Sequence, residues 1–268
     1  MTASERTSGP RNTIGIVAGS GPEAGIDLWA KVLRHNADLM GDDFGGDLDA
    51  PRVVILSEPL LGLSMDLSRN ETVVWEALKD TAAAISVRCD HWAIACNTLN
   101  WFAPRISNLG LPGEFVSFQS VLSDWIAASG LTRLGLLGAA PVTEMGVWSA
   151  YRALSDLVEV ETPADAEALH ALIHDVKRLG SADPTLRRRF KALAETMRAE
   201  TLLLACTELP LIAEIETTKR LVDVTDLVAV ELARRSLPRW DAAKNDRQAA
   251  RASGARGQAR APREDAHG

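Results

Sequence analysis

Short apolar runs alternate along this chain with longer stretches whose apolar positions recur at a helical period. Most of the runs are apolar throughout, which is typical of strands buried on both faces of a parallel sheet. Eight strands are predicted, at residues 13–18, 52–56, 92–95, 114–117, 134–137, 158–160, 201–205 and 220–222. Seven helices are predicted between and after them, at 23–36, 69–87, 121–128, 143–155, 165–178, 185–200 and 226–236. This alternation predicts an α/β fold.

The pattern is also doubled. TIGIVAGSGPEAG opens the first half and RLGLLGAAPVTEMG opens the second, and each reads as a strand, a loop of small residues and a helix. The simplest architecture is two pseudo-symmetric lobes, each a mostly parallel sheet flanked by helices. Because open α/β sheets bind ligands beyond the carboxyl ends of their strands, we expect the active site in the cleft between the lobes.

Composition narrows the class of protein. Hydrophobic residues make up 46% of the 268 positions and charged residues 24%, as in ordinary globular proteins. No apolar run approaches the roughly 18 residues of a membrane span, and the polar start MTASERTSGPRN lacks a secretory h-region. A net charge of −7 gives no reason to expect nucleic-acid binding. Three cysteines without a C-x-x-C motif argue against disulfides and structural zinc, so a reducing cytoplasm is expected.

The last thirty residues differ from the rest. Residues 239–268 hold seven Lys and Arg, four acids, and no Val, Ile, Leu or Met. Such a segment cannot bury enough apolar surface to offset the entropy of ordering, so we expect a disordered basic tail. A solvated extension is favoured over contact with RNA or an acidic partner.

Two cysteines share a local context, A-C-x-T, in the two halves of the chain. Cys96 stands in IACNT and Cys206 in LACTELP, each at the end of a predicted strand. The unperturbed pKa of a cysteine thiol is about 8.5, and the N-terminus of a helix that follows the cysteine would lower this pKa. A buried structural cysteine is the more common case, but the repeated context favours a pair of acid/base thiols. Cys89 lacks this context and is expected to be structural.

Polar residues beside the two cysteines are candidates for holding a substrate carboxylate. Asn97 and Thr98 follow Cys96, and Thr207 and Glu208 follow Cys206. Asn and Thr also commonly cap helices, and the two roles are compatible. Ser20, in the first glycine-rich loop, and Thr143, in the matching second loop, complete the predicted set of substrate-binding residues.

Two other ligand types are less favoured. GSGPEA at 19–24 fits the dinucleotide fingerprint, but the second strand ends near Leu56 and is too distant to supply the acid about 20 residues on. His170 and His174 have i, i+4 spacing, yet no third ligand is evident, so two surface histidines are expected and no metal site.

The sequence resembles the aspartate/glutamate racemases that work without pyridoxal phosphate. The resemblance rests on segments spread over most of residues 13–236, namely IGIVAGSGPEAG, IACNT, LGLLGAAPVTEMGVWSAY, LLLACTELPLI and LVDVTDLVA. It implies a cofactor-independent racemase, with Cys96 and Cys206 as the acid/base pair, acting on aspartate, glutamate or a related amino acid. It also implies a homodimer, a first lobe of 13–116 plus 223–238, and a second lobe of 117–222. Residues 1–12 are expected to be a flexible N-terminus.

The sequence departs from the family's pattern at two places. Asn100 stands where the family usually has a histidine, and LSEPLLGLS offers Glu58 where aspartate racemases tend to carry an arginine. Either an arginine from elsewhere in the chain, such as Arg52 or Arg69, reaches into the cleft, or the distal group of the substrate is not an anion; we expect the first, because the rest of the resemblance points to acidic amino acids. Two alternatives stay open: a cysteine-dependent decarboxylase or isomerase of a dicarboxylic acid, and a ligand-binding relative without turnover.

Truncation after Trp240 tests the assignment of the tail. We expect it to change neither the melting temperature nor the activity, because disordered residues make few native contacts. A drop of several degrees in differential scanning calorimetry would show that the tail docks.

Overall fold

The computed structural model describes residues 11–237 and contains two four-stranded parallel sheets. The first sheet has the order β2-β1-β3-β4, and all its neighbours pair in parallel. Its strands are β1 (Ile14–Ala18), β2 (Val53–Ser57), β3 (His91–Ile94) and β4 (Glu114–Phe115).

The second sheet repeats this arrangement. Its order is β6-β5-β7-β8, which is the order of the first sheet applied to the next four strands, and all its pairs are parallel. Its strands are β5 (Arg133–Leu137), β6 (Glu159–Glu161), β7 (Thr201–Leu204) and β8 (Arg220–Asp223). The predicted α/β fold with two pseudo-symmetric lobes is therefore confirmed.

Helices flank both sheets. They are α1 (Pro22–Met40), α2 (Leu67–Ser86), α3 (Ala103–Ser107), α4 (Phe118–Ser129), α5 (Ala140–Thr143), α6 (Ala166–Leu179), α7 (Pro184–Thr196) and α8 (Val224–Ser236). Side chains cap several of them, as when Asp223 accepts a hydrogen bond from the Thr225 N–H at 2.8 Å at the start of α8. Shorter 3₁₀ segments connect the rest, and three of them, Pro59–Asp66, Thr98–Phe102 and Pro210–Ile212, lie near the site described below.

All eight predicted strands are present, and the one wrong helix is the one predicted at 143–155. The chain forms only the short α5 there, followed by turns and a 3₁₀ segment at Arg152–Asp156. Met145 has a positive φ of 53°, which an α-helix does not allow, and glycine follows it. The segment instead crosses to the first lobe, where Trp101 donates a hydrogen bond to the Val147 carbonyl at 2.7 Å.

One apolar core joins the two lobes. It includes Ile16 of β1, Leu136 of β5, and Val228 and Leu232 of α8. Helix α8 follows the last strand of the second sheet, yet it packs against α1 and α4. The two lobes are thus held together by packing in this common core. The packing fixes the relative position of the loops at the carboxyl ends of both sheets.

Two predicted features lie outside the described residues. They are the basic tail at 239–268 and residues 1–10 of the N-terminal segment. The division into domains and the homodimer stay predictions. No helix within residues 11–237 combines the length and apolar character that a bilayer crossing requires.

Replacement of Leu232 by Ala tests the shared core. Leu232 is fully buried, so we expect the free energy of unfolding to fall by about 2–5 kcal/mol in urea titration. The control is Leu48→Ala, because Leu48 is 97% exposed and should change stability by no more than about 0.5 kcal/mol. Equal effects of the two substitutions would contradict the placement of α8 in the core.

Candidate active site

The two A-C-x-T cysteines occupy equivalent places in the two sheets. Cys96 lies two residues beyond the end of β3, and Cys206 lies two residues beyond the end of β7. Both thiols are 7% exposed. The segments that follow are 3₁₀ turns, Thr98–Phe102 and Pro210–Ile212, and not the α-helices that we expected. Such short turns align few peptide dipoles, so side chains must do most of the tuning of these thiols.

Cys96 is hydrogen-bonded to a serine of the first lobe, which a second serine supports. Its Sγ donates a hydrogen bond to Ser20 Oγ at 3.3 Å, and Ser20 Oγ lies 2.9 Å from Ser64 Oγ. Both serines are buried. The Ser20 hydroxyl can also donate to sulfur, so it could stabilise a Cys96 thiolate.

Cys206 is hydrogen-bonded to an acidic residue of its own loop. Its Sγ donates to Glu208 Oε2 at 3.0 Å, and Thr207 Oγ1 donates to the same oxygen at 3.3 Å. Burial raises the pKa of Cys206 well above its usual value, and the Glu208 carboxylate raises it further. Cys206 therefore rests as a thiol.

Lys177 of α6 joins the Glu208 carboxylate to the first lobe. Its ammonium group is ion-paired with Glu208 Oε1 and donates to the Ser20 carbonyl at 3.0 Å. Burial works to lower the pKa of Lys177, but Glu208 and the two cysteines outweigh it, and the pKa is raised. Lys177 thus stays charged beside both thiols.

Asn97, which directly follows Cys96, has a hydrogen-bond donor without a partner. The hydroxyl of Tyr151, which comes from the second lobe, donates to Asn97 Oδ1. Asn97 Nδ2 is buried and has no hydrogen-bond partner. A buried donor without a partner is costly, so a ligand acceptor is the natural complement. Burial raises the pKa of Tyr151 well above its usual value, and negative charge on Cys96 and Cys206 would raise it further.

The remaining predicted binding residues are placed less directly. Thr98 is buried at the start of its 3₁₀ segment. Thr143 is also buried, and its hydroxyl donates to the Ala139 carbonyl at 3.4 Å. Glu208 accepts from Cys206, Thr207 and Lys177, so it orients other groups of the site.

Cys89 lies away from this site. It precedes β3, which places it at the amino end of the first sheet, whereas Cys96 lies at the carboxyl end. Burial raises its pKa, so it rests as a thiol.

Neither arginine that we expected in the cleft is there. The Arg69 side chain is 84% exposed and pairs with Asp66 at 3.4 Å. Arg52 directly precedes β2 and is therefore at the amino end of the sheet, close enough to Cys89 to affect its pKa. Glu58, which stands in the family's arginine position, caps the 3₁₀ segment Pro59–Asp66 by accepting from the Leu60 N–H at 2.9 Å.

The structure adds three side chains that the sequence did not reveal. They are Ser64, Tyr151 and Lys177. Tyr151 is the single tyrosine of the chain and falls within the second-lobe segment that resembles the racemases, which was a usable signal. Lys177 reads in sequence as an ordinary polar position of an amphipathic helix, and Ser64 carries no pattern.

Asn100 fixes the backbone behind Cys96. Its Nδ2 donates to the Cys96 carbonyl at 2.9 Å, and its Oδ1 accepts from the Phe118 N–H at 2.8 Å. It is fully buried and therefore links the Cys96 loop to the start of α4.

The Asn100→Ala variant should lose about 2–4 kcal/mol of unfolding free energy, because it leaves buried backbone groups without partners. The control is Asn108→Ala, since Asn108 is exposed after α3. Thermal unfolding followed by circular dichroism gives both values. If the two variants were equally stable, Asn100 would not have this structural role.

Comparison with known proteins supports the architecture. No protein-family model and no curated protein matches the sequence. Among solved structures, the Picrophilus torridus aspartate racemase superposes with a TM-score of 0.68 at 21% identity, covering 86% of this chain and 97% of that one. An aspartate racemase homologue from Pyrococcus horikoshii gives 0.59 at 21% identity, covering 83% and 99%. Glutamate racemase RacE1 from Bacillus anthracis gives 0.54 at 14% identity, covering 83% and 80%. The chain therefore has the fold of the aspartate and glutamate racemases.

Proposed function

We propose that this protein is a cofactor-independent amino-acid racemase that uses Cys96 and Cys206 as its acid/base pair. The observation that carries the proposal is the equivalent placement of two buried thiols at the carboxyl ends of β3 and β7. Lys177 supports their proximity to each other, because it pairs with Glu208, the acceptor for Cys206, and also donates to the carbonyl of Ser20, whose hydroxyl accepts from Cys96. The racemase fold and the matching sequence segments support the same function.

Racemisation needs one base and one acid on opposite faces of the same carbon. In one direction, the Cys96 thiolate would take the Cα proton, and the electron pair left on Cα would then accept the proton of the Cys206 thiol. The two sulfurs exchange roles in the reverse direction. The Ser20 hydroxyl lies within hydrogen-bond distance of Cys96 Sγ and could donate to it once it is a thiolate, whereas Glu208 accepts from the Cys206 thiol.

Binding of the substrate carboxylate would complete the geometry. Asn97 Nδ2 supplies a buried donor, and the Lys177 ammonium supplies positive charge beside both thiols. Ser20, Thr98 and Thr207 are the further hydroxyl donors that we assign to this role. A carboxylate fixed by such donors would place Cα in one position, and positioning of this kind supplies much of an enzyme's rate.

The two alternative functions can be distinguished from racemisation by what happens to the ligand. A decarboxylase or isomerase of a dicarboxylic acid would need only one thiol, as proton donor or as nucleophile, and the placement of Arg52 and Arg69 outside the cleft is the observation that favours it. It would release carbon dioxide or an isomerised acid. A ligand-binding relative would bind an amino acid without exchange of its Cα proton.

Single replacements of the cysteines test the proposal. Cys96→Ser and Cys206→Ser should each lower racemisation over a panel of amino acids by at least about 100-fold, the usual scale of lost acid/base catalysis. Chiral chromatography measures the loss, and the melting temperature shows that the fold is kept. The matched control is Cys89→Ser, which should keep nearly full activity. Wild-type racemisation by either of the first two variants would refute the two-thiol mechanism.

A further inference from the structure

The outer edge of the first sheet is open. Strand β2 lies at that edge and pairs with β1 on its inner side. At one end of β2, the Arg52 carbonyl accepts from the Ile14 N–H at 2.9 Å, and at the other end the Glu58 N–H donates to the Ala18 carbonyl at 3.1 Å. The even-numbered residues of this segment therefore direct their backbone groups toward β1.

The odd-numbered residues direct theirs outward, because successive residues of a strand point their backbone groups to opposite sides. These residues are Val53, Ile55 and Ser57. Within residues 11–237, no hydrogen bond is made to their outward N–H and C=O groups. The strand VVILS also contains no charge and no proline, which are devices that commonly keep an edge strand from pairing.

Apolar side chains accompany this free edge on one face of the sheet. Val53 packs against the core that contains Leu28 and Val32 of α1. Ile55 is two residues further along the strand, so its side chain faces the same layer. It is 37% exposed, because the core ends at this edge.

Helix α1 presents an uncovered apolar flank toward the same edge. Its other flank carries Asp27 and Lys31 and faces α8, where Lys31 pairs with Asp223 at 2.6 Å. Helix α8 contacts β3, so it lies over the inner part of the sheet. Trp29 is two residues from both Asp27 and Lys31 and therefore lies on the opposite side of α1, toward β2. Trp29 is 41% exposed, and Ile26, one turn earlier, is 62% exposed.

Opposite charges stand at the two ends of β2. The segment reads RVVILSE, with Arg52 directly before the strand and Glu58 directly after it. Their positions are both even, so the two side chains share one face of the strand. Neither takes part in an ion pair among the described residues 11–237. An antiparallel copy of this segment, centred on Ile55, would bring each Arg52 opposite a Glu58, whereas a parallel copy would bring like charges together.

We propose that the β2 edge is a self-association surface, on which β2 of a second copy of this chain pairs antiparallel about a two-fold axis at Ile55. In this register Ile55 lies opposite Ile55 of the second copy, and Val53 lies opposite Ser57. All of them form hydrogen-bonded pairs, because their backbone groups point outward. The two first-lobe sheets then form one continuous sheet through an isologous contact.

The flanking side chains supply what the strand pair lacks. Two strands alone are marginally stable in water, so further apolar burial is needed. The two-fold axis places Trp29 and Ile55 of both copies on the same face of the joined sheets, where they cover the seam. The terminal charges select the antiparallel direction and the register, as opposite-charge pairs across strands do.

Exchange of charge across the seam tests the proposal. Sedimentation velocity of the full chain over a dilution series should show a species of twice 28.9 kDa. Arg52→Glu and Glu58→Arg should each raise the dissociation constant at least about 10-fold, because each puts like charges opposite one another at both ends of the seam. An equimolar mixture of the two variants should associate again, because their heterodimer has opposite charges at both ends. The control is Arg188→Glu, which changes an exposed arginine of α7 and should leave the dimer unchanged.

Hydrogen exchange locates the seam independently. Peptides that cover 52–58 should exchange more slowly at concentrations that populate the dimer, because the outward N–H groups are then bonded across the seam. Circular dichroism melting shows that each variant keeps its fold. A wild-type protein that stays monomeric throughout the series, a dimer that neither substitution weakens, or variants that fail to associate when mixed would overturn the proposal.

Discussion

The buried carboxylate of Glu208 is the group on which the rest of the site depends. A buried charge is tolerated only when it is paired and hydrogen-bonded, and here Lys177, Cys206 and Thr207 all donate to it. Lys177 comes from α6 of the second lobe and also donates to the carbonyl of Ser20 in the first. A side chain at Gly21 would collide with this carboxylate, so the glycine permits the close approach of the two loops.

The same contacts give the two thiols different surroundings on a nearly symmetric frame. The sheets repeat one strand order, and each presents a cysteine two residues past its third strand. Cys96 meets the serine hydroxyls, and Cys206 meets a carboxylate that keeps it protonated. A pseudo-symmetric fold can therefore give two equivalent cysteines different hydrogen-bond partners, because the side chains of the two loops differ.

The fold could be predicted from sequence much further than the site. All eight strands were predicted from sequence. The inner strands of each sheet come from runs such as TIGIVA and TLLLA, whose burial on both faces leaves a plain apolar signature. The helix predicted at 143–155 was wrong because the left-handed Met145 leaves no trace in the pattern. The cysteines were identifiable from their repeated context, whereas the role of Lys177 depends on which loop lies opposite α6. An arginine such as Arg52 or Arg69 was predicted in the cleft because the resemblance implies an acidic substrate, but strand direction and exposure place both side chains elsewhere.

The position of solvent deuterium early in the reaction tests the central claim most directly. The experiment uses an amino acid that the protein racemises, dissolved in D₂O. Two thiols acting on opposite faces of Cα would place deuterium in the newly formed enantiomer, while the recovered starting enantiomer keeps its protium. Mass spectrometry after chiral separation, at less than about one tenth of conversion, reads both species. Equal deuterium in the two enantiomers, or protium carried into the product, would indicate a single base and contradict the account.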